Sequence, residues 1–282
     1  MIKYAISNIA LTSYDHAAKL ERLGAIGISG LEIAPSRRWH DTWHGLDNNA
    51  VAAYRRDIER SGLQTVGLHS LFFDHPELGL FKEPEARAHS LDFLEHLSKV
   101  CRDLGGRTLI YGGGRRRGDL PLEQAYSEAV AFFSELCERI ADHGTCFCFE
   151  PLGPNDTDFI NSAIESFNIA NEINHPALRV QLDAKALIEN NEATIETFRA
   201  VSSMLVHFHA NEPGLAVLGS SGTIDHAAFG EMLNEISYDG YVSIEQRMLN
   251  EANPLDDASA SFRTLKRCYP NLTSAQSDRE TK

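Results

Sequence analysis

Thr145-Cys-Phe-Cys-Phe-Glu150, Val180-Gln-Leu-Asp183, Leu205-Val-His207-Phe-His209 and Val242-Ser-Ile-Glu245 are the runs on which the fold turns. Each is short and mostly apolar, and each ends in a carboxylate or an imidazole. Apolar runs of this length read as buried strands, since a helix needs a longer stretch to bury one face. Between them lie longer stretches of helical spacing, near 161–173, 186–200 and 226–236. Strand then helix, repeated without a break in composition, is the pattern of a parallel sheet.

The alternation continues outward in both directions. Further strands are expected near 3–7, 29–33, 64–69 and 106–111, and further helices near 14–25, 48–62, 85–103, 121–143 and 256–268. With strands at 145–150, 178–183, 203–209 and 240–245 the count reaches eight, the number that closes a barrel. The predicted fold is therefore α/β, a single (β/α)8 TIM barrel over residues 1–272 with a polar C-terminal tail at 273–282. A doubly wound open sheet is the competing architecture. Local chemistry supports the boundaries. Ser162-Ala-Ile-Glu165 is a capping box, Pro121 suits a first helical turn, and Gly62 suits the left-handed position past a helix end.

The chain has 282 residues, a length suited to one barrel of roughly 250 residues. Its net charge of −14 disfavours nucleic acid and anionic membranes as partners, because basic groups supply most of that affinity. No apolar run approaches the roughly 20 residues of a membrane span. The N-terminus lacks the pattern of a secretory signal. The five scattered cysteines, including Cys146 and Cys148 on one strand face, read as small core residues in a reducing cytosol. The expected location is the cytoplasm, and a homo-oligomer is compatible with all of this.

In a closed barrel the four quoted strand endings converge on one mouth. Three carboxylates that close cannot all stay ionised unaided, because like charges raise each other's pKa. A divalent cation relieves them, and mixed oxygen and nitrogen donors suit Mn²⁺, Mg²⁺, Co²⁺ or Zn²⁺. A lone carboxylate after a strand is ordinarily a helix cap, and Asp183 can serve in that way. Four successive endings are harder to read as caps. The loops 34–47, 70–84, 112–120 and 210–225 follow strands and are long, as loops at the reactive face of a barrel often are.

The set of motifs resembles the xylose isomerase-like barrels, in particular their sugar phosphate isomerase/epimerase branch. The resemblance rests on Gly30-Leu-Glu32-Ile, Gly67-Leu-His69, Glu150-Pro151-Leu, Leu182-Asp183, His207-Phe-His209, Ile244-Glu245 and Gly222-Thr-Ile-Asp225-His226 with Phe229. It implies that Glu150, Asp183, His209 and Glu245 hold one divalent metal ion, with His207 behind them. It also implies an enediolate reaction on a sugar, with Glu150 and Glu245 as the catalytic acid and base. Proton transfer across two faces of one carbon gives epimerisation, and transfer between adjacent carbons gives isomerisation. Two positions depart from the ketose 3-epimerases: Ala186 stands for a histidine and Leu215 for an arginine. Both put the usual free ketohexose in doubt.

Other residues are candidates for substrate binding. His69 and Glu32 end strands 3 and 2, and Glu32 reads equally as a buried ion-pair partner. Lys185 and Glu212 lie near the two departures, and either can be a solvated loop charge instead. Arg247 shares the direction of Glu245. The loop Gly112-Gly-Gly-Arg115-Arg-Arg117-Gly reads either as a solvated loop or, with Arg37 and Arg38, as a site for an anionic sugar derivative. Trp39 and Trp43 either cover a sugar ring or hold their loop down. A sugar dehydratase is the nearest alternative function. A hydrolase and a non-catalytic sugar-binding barrel fit less well, since the nuclease branch needs further histidines and a pure binder has no use for all four ligands.

Overall fold

In the computed structural model, which describes residues 1–271, eight parallel strands close into a barrel in the order β1 to β8. The strands are Lys3–Ser7, Gly30–Ile33, Gln64–Leu68, Thr108–Tyr111, Cys146–Phe149, Leu178–Asp183, Leu205–Ala210 and Tyr241–Ile244. β8 pairs with β1, so the open-sheet alternative is excluded. The helices are α1 (Ala17–Ala25), α2 (Asn48–Arg60), α3 (Pro84–Asp103), α4 (Leu122–Arg139), α5 (Ala163–Ile173), α6 (Ala184–Glu189), α7 (Ile195–Val201), α8 (His226–Glu235) and α9 (Pro254–Cys268). The tail expected at 273–282 lies outside the described residues. None of the described helices is long and apolar enough to cross a membrane.

Most boundaries follow the local chemistry. Ser162 and Glu165 form the expected capping box, and Gly62 takes φ +74° just past α2. Pro121 sits one residue outside α4, at the cap position. One element differs. The helix expected over 186–200 is two helices, because Asn191 adopts a left-handed φ of 56° and Thr194 caps a fresh start at Ile195. The sequence Glu189-Asn-Asn-Glu-Ala-Thr194 offers polar side chains that compete for backbone hydrogen bonds, so the helix stops and restarts there.

Two irregularities matter for the site. The β2–β3 register shifts between Leu31 and Glu32, and the β6–β7 register shifts between Val180 and Gln181. A bulge re-aims the side chains beyond it. After these shifts, Asp183 pairs with His209 and His209 with Ser243, while Glu32 pairs with Ser7 and Gly67. Cys146 and Cys148 are buried with Ile110 in a small apolar cluster of their own.

Candidate active site

The residues that end β5 to β8 meet around one atom, Nδ1 of His209. Glu150 Oε1 lies 3.3 Å from it, Glu245 Oε2 3.6 Å and Asp183 Oδ2 3.9 Å. This nitrogen is buried and has no hydrogen-bond partner. A buried polar atom left unsatisfied beside three carboxylates is an unfavourable arrangement unless something completes it. The chemistry of the donors fits a divalent cation: Glu150, Asp183 and His209 present ligand atoms close enough to share one ion. Burial, with Glu150 and Glu245 nearby, pushes the Asp183 carboxyl up to about 8. The mouth thus carries more negative charge than it can comfortably hold, and a cation would remove the excess.

Asp183 is a helix cap that also lies at the cluster. Its Oδ1 caps α6 by accepting from the Ala186 N–H at 2.8 Å, and its Oδ2 faces the cluster. Asn211 was not anticipated. Its Nδ2 donates to Asp183 Oδ2 at 2.5 Å and to Glu245 Oε2 at 2.9 Å, tying two of the four groups together. The signal for it was present, since it continues the period-two pattern His207, His209, Asn211 past the end of β7. Gly112 was likewise missed as a site residue. A Cβ built there would stand 2.2 Å from Glu150 Oε2, so a larger residue would push the Glu150 carboxylate out of its present position.

A second tier lies beneath. Glu32 is fully buried, 3.0 Å from Nε2 of both His207 and His209, and it accepts from Ser243 Oγ at 2.8 Å. Burial alone would raise its carboxyl, but His209, His207 and His69 outweigh it and hold Glu32 well below the ordinary range. For His209, burial is outweighed by Glu32 and Glu245, and the imidazole is held well above its usual value. Glu32 is therefore corrected from a substrate contact to the partner that orients His209. Its grip on Nε2 turns Nδ1 toward the three carboxylates, the usual arrangement behind a metal-ligating histidine. His207 occupies the deeper position expected for it.

The remaining candidates separate by accessibility. His69 reaches the site: its Nδ1 is 3.5 Å from Glu245 Oε1 and its Nε2 is 2.6 Å from Ser7 Oγ. Glu245 is half-buried; its desolvation would raise the carboxyl, but His209 and His69 outweigh it and hold it down at about 2. Arg115 is corrected most. It is fully buried, and its guanidinium donates to the carbonyls of Tyr111, Gly112, Glu150, Phe159 and Ile160 while lying over the Phe149 ring. Burial lowers it to about 10, so it stays charged at neutral pH, but its donors are spent on the backbone that carries Glu150. Arg116 and Arg117 bind Asn155 and Asp158, so the glycine-arginine loop is fastened to the β5–α5 loop.

Glu212 is also corrected. It is fully buried and accepts from the Gly219 N–H, His226 Nε2 and Ser221 Oγ, which pins the loop after β7. Lys185 has its ammonium between Asp156 at 2.8 Å and Glu189 at 3.3 Å, and its N–H donates to Asn211 Oδ1. Trp39 packs edge-on against Tyr54, and Trp43 stacks on His44 near Phe93, so both hold their loop down. Arg38 lies over the Tyr54 ring. Arg247 and Arg37 do line an open cleft of ≈ 350 Å³ that reaches Glu245, together with Leu215, Phe73 and Ser70. A neighbouring cleft of ≈ 510 Å³ shares Ser70 and Phe73 with it and runs along Gly112–Arg116.

The profile of the xylose isomerase-like TIM barrel family matches residues 20–268. The chain is 28% identical over 233 residues to a D-psicose 3-epimerase of Ruminiclostridium cellulolyticum, covering 82% of this chain and 78% of that enzyme. It is 26% identical over 167 residues to an L-ribulose 3-epimerase of a Methylomonas species, covering 58% of each. Among solved structures, a 3-keto-D-glucoside 4-epimerase of E. coli superposes with a TM-score of 0.80 at 19% identity, over 95% of this chain and 100% of that one. At that identity the likeness is one of fold.

Proposed function

The chain belongs to the xylose isomerase-like TIM barrel family, and on that premise we propose that it is a divalent-metal-dependent epimerase or isomerase of a keto sugar. One observation carries the reading. Glu150 and Glu245 stand on strands separated by β6 and β7, yet both approach His209 Nδ1. Their side chains are also the most accessible of the four, at 10% and 16% against 5% for Asp183 and 1% for His209. Of the four, these two are thus the least covered, and to them we assign the proton transfers on opposite faces of the substrate.

Glu150, Asp183, His209 and Glu245 would hold the ion. Bound there, it would polarise a carbonyl and steady the negative charge of an enediolate. One glutamate removes the proton beside the carbonyl and the other returns a proton to the opposite face, inverting that carbon. His69 and Asn211 fix the two oxygens of Glu245, at 3.5 and 2.9 Å. Arg115 anchors the Glu150 carbonyl at 2.5 Å, and Gly112 leaves room for its carboxylate. The relatives bearing the names D-psicose 3-epimerase and L-ribulose 3-epimerase favour epimerisation over the dehydratase alternative. Manganese is the ion we propose to try first, and the cytoplasm the compartment.

Keto sugars incubated with the Mn²⁺-loaded protein in D₂O should gain deuterium at the carbon beside the carbonyl. Glu150→Gln and Glu245→Gln should each lose about two to four orders of magnitude in that exchange. No exchange across free, phosphorylated and acidic keto sugars would end the enediolate reading.

A further inference from the structure

We infer that the cleft beside Glu245 takes a keto sugar bearing an anionic group, which Arg37 and Arg247 hold; this rests on the epimerase reading above. Both arginines line that cleft, and Glu245 is its one carboxylate. Neither guanidinium forms an ion pair among the described residues. Arg37 is half-buried and spends one Nη2–H on the Leu11 carbonyl at 2.7 Å, while its Nε is buried with no partner. Arg247 is exposed. Several other basic groups around the mouth are committed: Arg115 to carbonyls, Arg116 to Asn155, Arg117 to Asp158 and Lys185 to Asp156. In a chain of net charge −14, Arg37 and Arg247 face the same small space.

The walls carrying them are fastened to one another. The Arg247 N–H donates to the Leu215 carbonyl at 3.0 Å, the Met248 N–H to Ile9 at 2.8 Å, and the Tyr14 N–H to the Arg37 carbonyl at 2.9 Å. Leu215 and Ser70, on either side, both hold a left-handed φ of 52°. Non-glycine residues in that conformation persist where the surroundings over-determine them, as they do around binding sites. The arginines are therefore presented by a braced frame. A neutral sugar would use them as hydrogen-bond donors only. A carboxylate or phosphate would also offset two positive charges, with fork geometry that guanidinium groups match.

The test is calorimetric binding to the Mn²⁺-loaded protein of three probes: D-fructose, D-fructose 6-phosphate and D-fructuronate. At least one anionic probe should bind about tenfold or more tighter than D-fructose at low salt, and the margin should shrink between about 10 and 200 mM NaCl. Whichever anion leads identifies phosphate or carboxylate as the group. The margin should disappear in Arg37→Gln/Arg247→Gln, and fall in the single variant Arg247→Gln, whose exposed side chain leaves the fold untouched. Metal content should stay at the wild-type level in both. Equal binding of all three probes, or a margin that survives the double variant, would overturn the inference. So would loss of metal in Arg247→Gln, which would make that arginine a counter-charge to the carboxylate cluster. An anion margin without deuterium exchange would uphold this site and sink the epimerase reading; exchange without a margin would do the reverse.

Discussion

Glu32 and Asp183 are both buried carboxylates in the barrel, both near His209, and burial with their neighbours drives them in opposite directions. Glu32, in the lower tier, is held well below the usual carboxylate range by three histidines. Asp183, in the upper tier, is pushed up to about 8 by its burial and by Glu150 and Glu245. The lower tier sets a single carboxylate against two imidazoles and a hydroxyl, those of His207, His209 and Ser243. The upper tier gathers three carboxylates about His209 Nδ1, and it is the one open to solvent. The difference separates support from chemistry: a buried carboxylate matched by imidazoles positions, and carboxylates in excess at a mouth invite a cation.

His209 belongs to both tiers, so breaking it should have the largest effect. His209→Ala should abolish stoichiometric metal binding, measured by elemental analysis after dialysis against Mn²⁺. It should also lower stability by about 3–5 kcal/mol in denaturant titration, since Glu32 loses a buried partner. Retention of metal would show that the tiers do not share this residue. Glu32→Gln tests the lower tier alone. With the mouth intact, metal affinity should fall by about 10–100-fold because His209 loses the acceptor that orients it. An unchanged affinity would reduce Glu32 to core packing.

Gly112→Ala should sharpen the upper tier. The new Cβ must displace the Glu150 carboxylate, 2.2 Å away, which can swing aside. Metal affinity or exchange rate should fall by about tenfold while the thermal midpoint moves by a few degrees at most. The last test is of pH. The unfolded Asp183 carboxyl titrates near about 3.9, and the folded one near about 8. Between those values the folded protein holds a proton that the unfolded chain releases, so metal-free stability should fall as pH rises. His209, held high, acts in the same sense above its unfolded value. Denaturant titrations of chelated protein at pH 5 and 8 should show the loss, and Asp183→Asn should flatten it. A flat wild-type profile would mean that the upper tier is not strained by charge.

The barrel was legible because strand alternation is local: apolar runs of period two, spaced by helical stretches, are visible without knowing what touches what. The four converging endings were legible for the same reason. The break at Asn190–Thr194 was not, because both the continuous and the interrupted helix satisfy the same apolar spacing. Accessibility was not legible either. Arg115 and Arg247 look alike in the sequence, yet the first is fastened inside by backbone carbonyls and the second lines the cleft.

By itself, then, the chain determined the eight-fold alternation and the residues that end each strand, because those depend on neighbours one or two positions away. Closure of the barrel decided the rest. It set Glu32 against His209 across 177 positions of sequence, bridged Asp183 to Glu245 through Asn211, and sorted buried charges from open ones. The cause is physical: the charge state and reach of a side chain depend on desolvation and on groups brought near by folding, and neither is a property of the local sequence.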